Sequence, residues 1–207
     1  MKKIISVILM VISLALIVMP IASCNDNKRV DNPGDVKSLG YEVTHYATID
    51  IEGYGEIKLE LYGEEAPITV ENFVSLAKDG FYDGLVFHRI MSNFMIQGGG
   101  FYENGYEKDA PSIKGEFMAN GVYNPIPHVR GVISMARTDV MDSASSQFFI
   151  MHETSPHLDY YYAAFGKVIK GMYVVDDICD SVAQGYNGAV ALSDRPVIKS
   201  ITIQEVE

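Results

Sequence analysis

Three short segments of this chain each set a polar side chain beside large apolar ones at strand spacing. In Leu85-Val86-Phe87-His88-Arg89-Ile90, a period of two places Leu85, Phe87 and Arg89 on one face. A permanent cation on such a face suits the border of a cleft rather than a core. In Phe94-Met95-Ile96-Gln97, Met95 and Gln97 point the same way, and in Gln147-Phe148-Phe149-Ile150 the pair is Gln147 and Phe149. Three strands thus each offer a mixed polar and apolar pair that a purely structural barrel would not require. Any one pair alone would pass for ordinary barrel surface.

Other chemistries find less support. His45, His88, His128, His152 and His157 lack tight ligand spacing and an acidic cluster, so they read as structural or surface residues and no metal site is expected. Gly98-Gly99-Gly100 is not followed by Gly-Lys-Ser/Thr, which favours a turn or bulge over a phosphate loop. The chain has no Gly-x-Ser-x-Gly elbow, which weakens a serine hydrolase reading. Tyr160, Tyr161 and Tyr162 are expected at a rim or in barrel packing. No cofactor is implied.

The elements that must position these residues are legible from local periods. Tyr46 to Ile51 and Glu56 to Leu61 alternate on either side of Gly53-Tyr54-Gly55, a hairpin signal. Pro67 to Lys78 carries Val70, Phe73, Val74 and Ala77 at helical spacing, and Gly80 ends it. Strands are expected at Leu85 to Ile90, Phe94 to Gln97, Val132 to Met135, Gln147 to Met151, Ala163 to Ile169 and Val197 to Val206. A second helix is expected from Met172 to about Val182, with Cys179 as a small buried hydrophobe. Many short strands with two widely separated helices suggest a closed antiparallel barrel with helical plugs.

The 207 residues suit one domain with appendages. The net charge of −11 becomes −13 without residues 1–23, whose only charges are Lys2 and Lys3. Nucleic acid is therefore not an expected partner. Lys2-Lys3 precedes an apolar run from Ile4 to Ile21, and Ile21-Ala22-Ser23-Cys24 resembles a bacterial lipobox. In that reading residues 1–23 are a lipoprotein signal peptide and Cys24 carries a lipid that holds the protein on a membrane, outside the cytoplasm. A plain secretory peptide and a retained span are the alternatives. Residues 24–40, polar and with Asn32-Pro33-Gly34-Asp35 as turn chemistry, read as a flexible linker, and order is expected from Tyr41 to residue 207.

The fourteen residues 87–100, FHRIMSNFMIQGGG, resemble the signature of the cyclophilin family. Gly131 to Arg137 followed by Ser146 to Ile150 is similar to its second block, and Phe165-Gly166-Lys167-Val168 to its third. The resemblance runs from about Tyr46 to Val206. It implies a mainly β fold, a closed eight-stranded antiparallel β-barrel with two capping α-helices, and peptidyl-prolyl cis-trans isomerase activity. It implies Arg89 as the catalytic residue and Phe94, Met95, Phe149 and Leu158 as the proline pocket. Gln97 and Gln147 match groups that hold the substrate backbone, while Ala136 and Arg137 fall where main-chain groups meet the peptide. The chain departs from many eukaryotic members at His157, Tyr162 and Arg137, where tryptophan, histidine and asparagine are common. The first two positions still count as substrate-binding, and the departures imply weak or no cyclosporin binding. Partners implied are proline-containing segments of unfolded or exported proteins. The competing reading is a non-catalytic proline-peptide binding module or chaperone with the same pocket.

Overall fold

A computed structural model of the chain describes residues 29–206. Eight strands form one antiparallel sheet: β1 (His45–Ile51), β2 (Gly55–Leu61), β3 (Leu85–Met91), β4 (Met95–Tyr102), β5 (Val132–Met135), β6 (Phe148–Met151), β7 (Ala164–Lys170) and β8 (Ile198–Glu205). Helices α1 (Pro67–Lys78) and α2 (Met172–Ser181) complete it. Both helices and all eight strands lie where the periods place them, with ends shifted by a few residues; β4 extends furthest, through the glycines to Tyr102.

The sheet order is β3-β4-β6-β5-β7-β2-β1-β8. The expected closed barrel is corrected here, because the sheet is an open, strongly curled half-barrel whose edges are β3 and β8. Between those edges lie one isolated bridge, Val86 to Val197, and the bonds Gly84 N–H to Ile198 O (2.8 Å) and Phe87 N–H to Pro196 O (2.9 Å). Pro196 has no N–H to extend the ladder. Beyond it β3 is covered by a loop instead, with Val190 N–H donating to His88 O.

Alternation along the strands divides the apolar residues between two faces. Ile96, Phe148, Ile150 and Ile133 join the main core inside the curl, with Phe73 of α1 and Val174, Val175 and Ile178 of α2. Phe73, Tyr82, Phe87, Phe148 and Phe165 fill that interior with rings 5.2–5.9 Å apart. Their neighbours Met95, Phe149, Met151 and Val132 form a smaller cluster on the outer face with Tyr62, Ile126, Leu158 and Ala164. The long connections after β4 and β6 cover this second cluster, and the candidate site lies at its margin.

Each helix begins without a side-chain cap of its own and takes one from far along the chain. The buried Glu116 carboxylate accepts from Ile68 N–H (3.1 Å), Thr69 N–H (2.7 Å) and the Thr69 hydroxyl (2.7 Å) at the start of α1. Asp31 accepts from Gly171 N–H (2.7 Å) and Tyr173 N–H (3.1 Å) at the start of α2. Carboxylates there satisfy orphan donors and complement the helix dipole. Residues 29–40, expected as a flexible linker, thus lie against the domain. Asp35 pairs with Arg130 (3.0 Å), and its carbonyl accepts from the buried Lys167 ammonium.

Candidate active site

A one-residue bulge in β3 creates the working surface. Phe87 pairs with Gly98 and Arg89 with Gln97, so two residues of β3 are opposed by one of β4. Leu85 and Phe87 therefore face the inner core, where Ile90 joins them, while Arg89 turns to the outer face beside Gln97. The expectation that Leu85, Phe87 and Arg89 share a face is corrected by this phase shift. Met95 lies with Gln97 as expected, and Phe149 lies on the outer face opposite Phe148, while Gln147 precedes β6 and is not among the residues that line the pocket with Phe149.

Arg89, Phe94, Met95, Gln97, Ala136, Arg137, Phe149, Leu158 and Tyr162 line one pocket of about 100 Å³, room for one small ring. Its apolar floor is Met95, Phe149 and Leu158, all buried. His128, itself buried, stacks beneath Phe149 (6.1 Å, 21°) and is held by Asp159 and Ser134 at 3.0 Å each. Burial lowers the His128 pKa in spite of Asp159, so the ring rests there as a neutral plate. Tyr162 meets Phe149 edge-on (5.8 Å).

The polar rim is built on Arg89. Its Nη1 donates to Gln97 Oε1 (3.3 Å), its Nε to Asn187 O (3.0 Å), and its Nη2 to Asn187 Oδ1 and Met91 Sδ (both 3.1 Å). Gln97 in turn donates from Nε2 to Gln147 Oε1 (3.0 Å). Gln147 thus stands behind Gln97 rather than in the pocket wall. Gly100 makes space for it, since a Cβ at residue 100 would come within 2.4 Å of Gln147 Cγ. Partial burial lowers the Arg89 pKa without threatening its charge.

Arg137 packs between the rings of Phe117 and Tyr162 (4.9 and 4.8 Å) and donates to the carbonyls of Tyr161 and Thr138. His157 is exposed and stacks on Phe94 (5.7 Å, 26°), at the rim rather than in the lining. Cys24 lies outside the described residues. Sequence reasoning missed Asn187 and Met91 as supports of Arg89. Asn187 has a left-handed backbone (φ 54°) in the loop after α2; the Asn187-Gly188 pair marks a turn, but nothing local marks the contact with Arg89. Among the described residues no group of three or more His, Cys, Asp or Glu side chains is placed to hold a metal ion.

An arginine held by an amide at the mouth of an apolar pocket, on the outer face of a curled eight-stranded sheet, can be compared with known proteins. Residues 46–207 match the family of cyclophilin type peptidyl-prolyl cis-trans isomerase/CLD. The chain belongs to this cyclophilin family. Its enzyme class is that of the peptidyl-prolyl cis-trans isomerases. This cyclophilin is 47% identical over 156 residues to a peptidyl-prolyl cis-trans isomerase of Acinetobacter baylyi, covering 72% of this chain and 80% of that one. It is 37% identical over 164 residues to peptidyl-prolyl cis-trans isomerase B of Escherichia coli, covering 73% and 96%. A crystal structure of a Cryptosporidium parvum cyclophilin, obtained in the presence of the dipeptide Ala-Pro, superposes with a TM-score of 0.64 at 27% identity. It covers 78% of this cyclophilin and 99% of that chain.

Proposed function

We propose that this cyclophilin isomerises prolyl bonds in exported proteins at the outer face of a bacterial membrane, tethered by lipid on Cys24. The observation that carries the catalytic part is the oriented Arg89 guanidinium over the pocket of Phe94, Met95, Phe149 and Leu158. Four of the five N–H donors of an arginine are engaged by Gln97, Asn187 and Met91, leaving one on Nη1 for a ligand carbonyl.

Rotation about an X–Pro bond faces a barrier of about 20 kcal/mol because twisting removes amide resonance. An acceleration of about five decades requires roughly 7 kcal/mol of preferential binding to the twisted amide. No bond is made or broken. In this reading the apolar floor fixes the proline ring and excludes water, while Gln97, braced by Gln147 from behind, holds the peptide backbone and Arg89. The carbonyl preceding proline accepts from the free Nη1–H of Arg89, which also lies near the proline nitrogen as it becomes pyramidal in the twisted state. Ala136 and Arg137 present main chain to the peptide, with His157 and Tyr162 at the rim.

The location rests on Lys2-Lys3, the apolar run and Ile21-Ala22-Ser23-Cys24. Two measurements test the proposal. A protease-coupled assay on a prolyl tetrapeptide should give isomerisation well above the uncatalysed rate. Mass spectrometry should find a mature N-terminus at Cys24 carrying lipid, with processing blocked by globomycin. Peptide binding without rate acceleration would favour the binding-module reading, and an unmodified Cys24 would remove the anchor.

A further inference from the structure

Phe94 walls the pocket from a turn rather than from a paired strand. The β3–β4 turn comprises Ser92, Asn93 and Phe94, and Asn93 adopts a left-handed backbone (φ 63°), a conformation non-glycine residues seldom hold unaided. One residue at the end of the neighbouring strand grips this turn twice. His152, directly after β6, accepts the Asn93 N–H on its Nδ1 (2.8 Å), and its own backbone N–H donates to Phe94 O (2.9 Å). Glu153 N–H reaches the same carbonyl at 3.2 Å.

The imidazole has no freedom to turn away. A backbone N–H can only donate, so Nδ1 must accept and the ring proton resides on Nε2. That nitrogen faces Asp176 Oδ1 of α2 at 3.2 Å. Asp176 is fixed in turn by Arg130, whose Nη2 lies 2.7 and 2.8 Å from its two carboxylate oxygens. Arg130 also donates from Nη1 to the carbonyl of His152 (2.6 Å) and from Nε to Asp35 (3.0 Å). His152, Asp176 and Arg130 are all partly buried, so water competes poorly with these bonds.

We propose that His152 is a positioning residue for prolyl isomerisation: its ring, locked by Asp176, sets the Ser92–Phe94 turn and so the Phe94 wall of the proline pocket. This rests on the assignment of that pocket to the proline ring. The ring touches no substrate. Its effect is carried through the Asn93 N–H, and a misplaced pocket wall weakens the fit of the ring in ground and transition states alike.

The test compares kcat and KM on a prolyl tetrapeptide for the full chain in detergent, with His152→Ala, His152→Asn and His152→Gln beside Arg89→Ala. An asparagine oxygen lies where Nδ1 does and can take the Asn93 N–H; a glutamine amide reaches the Asp176 side instead. His152→Ala and His152→Gln should lose about tenfold or more in kcat/KM, mainly through KM, whereas His152→Asn should stay within about threefold of wild type. Wild-type kcat/KM in His152→Ala would overturn the proposal, as would rescue by glutamine but not by asparagine. Should the alanine variant fail to fold, the asparagine–glutamine contrast decides alone. Full activity in Arg89→Ala would instead remove the pocket assignment itself.

Discussion

Arg89 and His88 are adjacent in the chain and follow opposite electrostatic logic. Arg89 keeps its charge at a rim where amide, carbonyl and thioether partners hold it before any ligand arrives. Arg89→Ala should therefore keep the fold and lower kcat/KM by about 10²–10³, the scale of losing one preorganised donor. Arg89→Lys should recover little of it, because an ammonium cannot bridge Gln97 and Asn187 with the same planar fork. A prolyl tetrapeptide assay beside a circular dichroism spectrum checks both; wild-type rates in Arg89→Ala would remove the mechanism. His88 packs its ring on Phe101 (4.7 Å), and its Nδ1 is buried without a partner. Burial, then Arg195 and Arg89, push its pKa down to about 4. The unfolded chain, with an ordinary value near ~6.5, takes the proton first as pH falls. The stability that neutral His88 contributes is thus complete above pH ~6.5 and lost progressively toward pH ~4, by ~2 kcal/mol between pH 7 and 5. His128 acts in the same direction. Urea unfolding at those two pH values should show a shallower loss for His88→Leu than for wild type, and equal slopes would exonerate this group.

Both helices depend on carboxylates that no local pattern could reveal. Glu116 caps α1 from the loop after β4, and Asp31 caps α2 from a position 140 residues earlier in the chain. Asp31→Ala should cost about 1 kcal/mol, and Glu116→Ala about 2–3 kcal/mol because it strands buried N–H groups. Urea midpoints measure both, and a smaller loss at Glu116 than at Asp31 would contradict the burial argument. The same division explains what was legible beforehand. The limits of α1 and of β5, Pro67–Lys78 and Val132–Met135, follow from runs whose period is complete within one element. The outer-face pairing of Met95 with Gln97 was legible for the same reason. The face of Arg89 was not, because the bulge opposite Gly98 arises from pairing between strands and reverses the phase after Phe87. Asn187 and His152 were hidden likewise, since each acts through bonds spanning tens of residues.

At the scale of the whole molecule, the family match begins at residue 46, and the described residues 29–45 precede it. That segment is joined to the domain by chemistry of several kinds. Asp31 caps α2, Asp35 pairs with Arg130, and Lys167 finds the Asp35 carbonyl as a partner for its buried ammonium. Val36 packs on the main core and Leu39 on the outer-face cluster. Arg29 marks the outer end, against Asp177 and Asp180 of α2 at 3.2 and 2.8 Å, an exposed pair that adds little by itself. If the proposed anchor is on Cys24, only residues 24–28 separate lipid from docked chain, a reach of at most ~18 Å. The segment would then hold the domain close to the bilayer instead of letting it range on a long tether. Its worth to the fold can be measured without any membrane. A form starting at Asn25 should unfold in urea with about 2–4 kcal/mol more stability than one starting at Tyr41, the sum of a helix cap, a partly buried ion pair and modest apolar burial. Arg130→Ala should narrow that gap, because Asp35 then has less to hold. Equal midpoints for the two forms would mean that the segment rests on the domain without contributing to its stability.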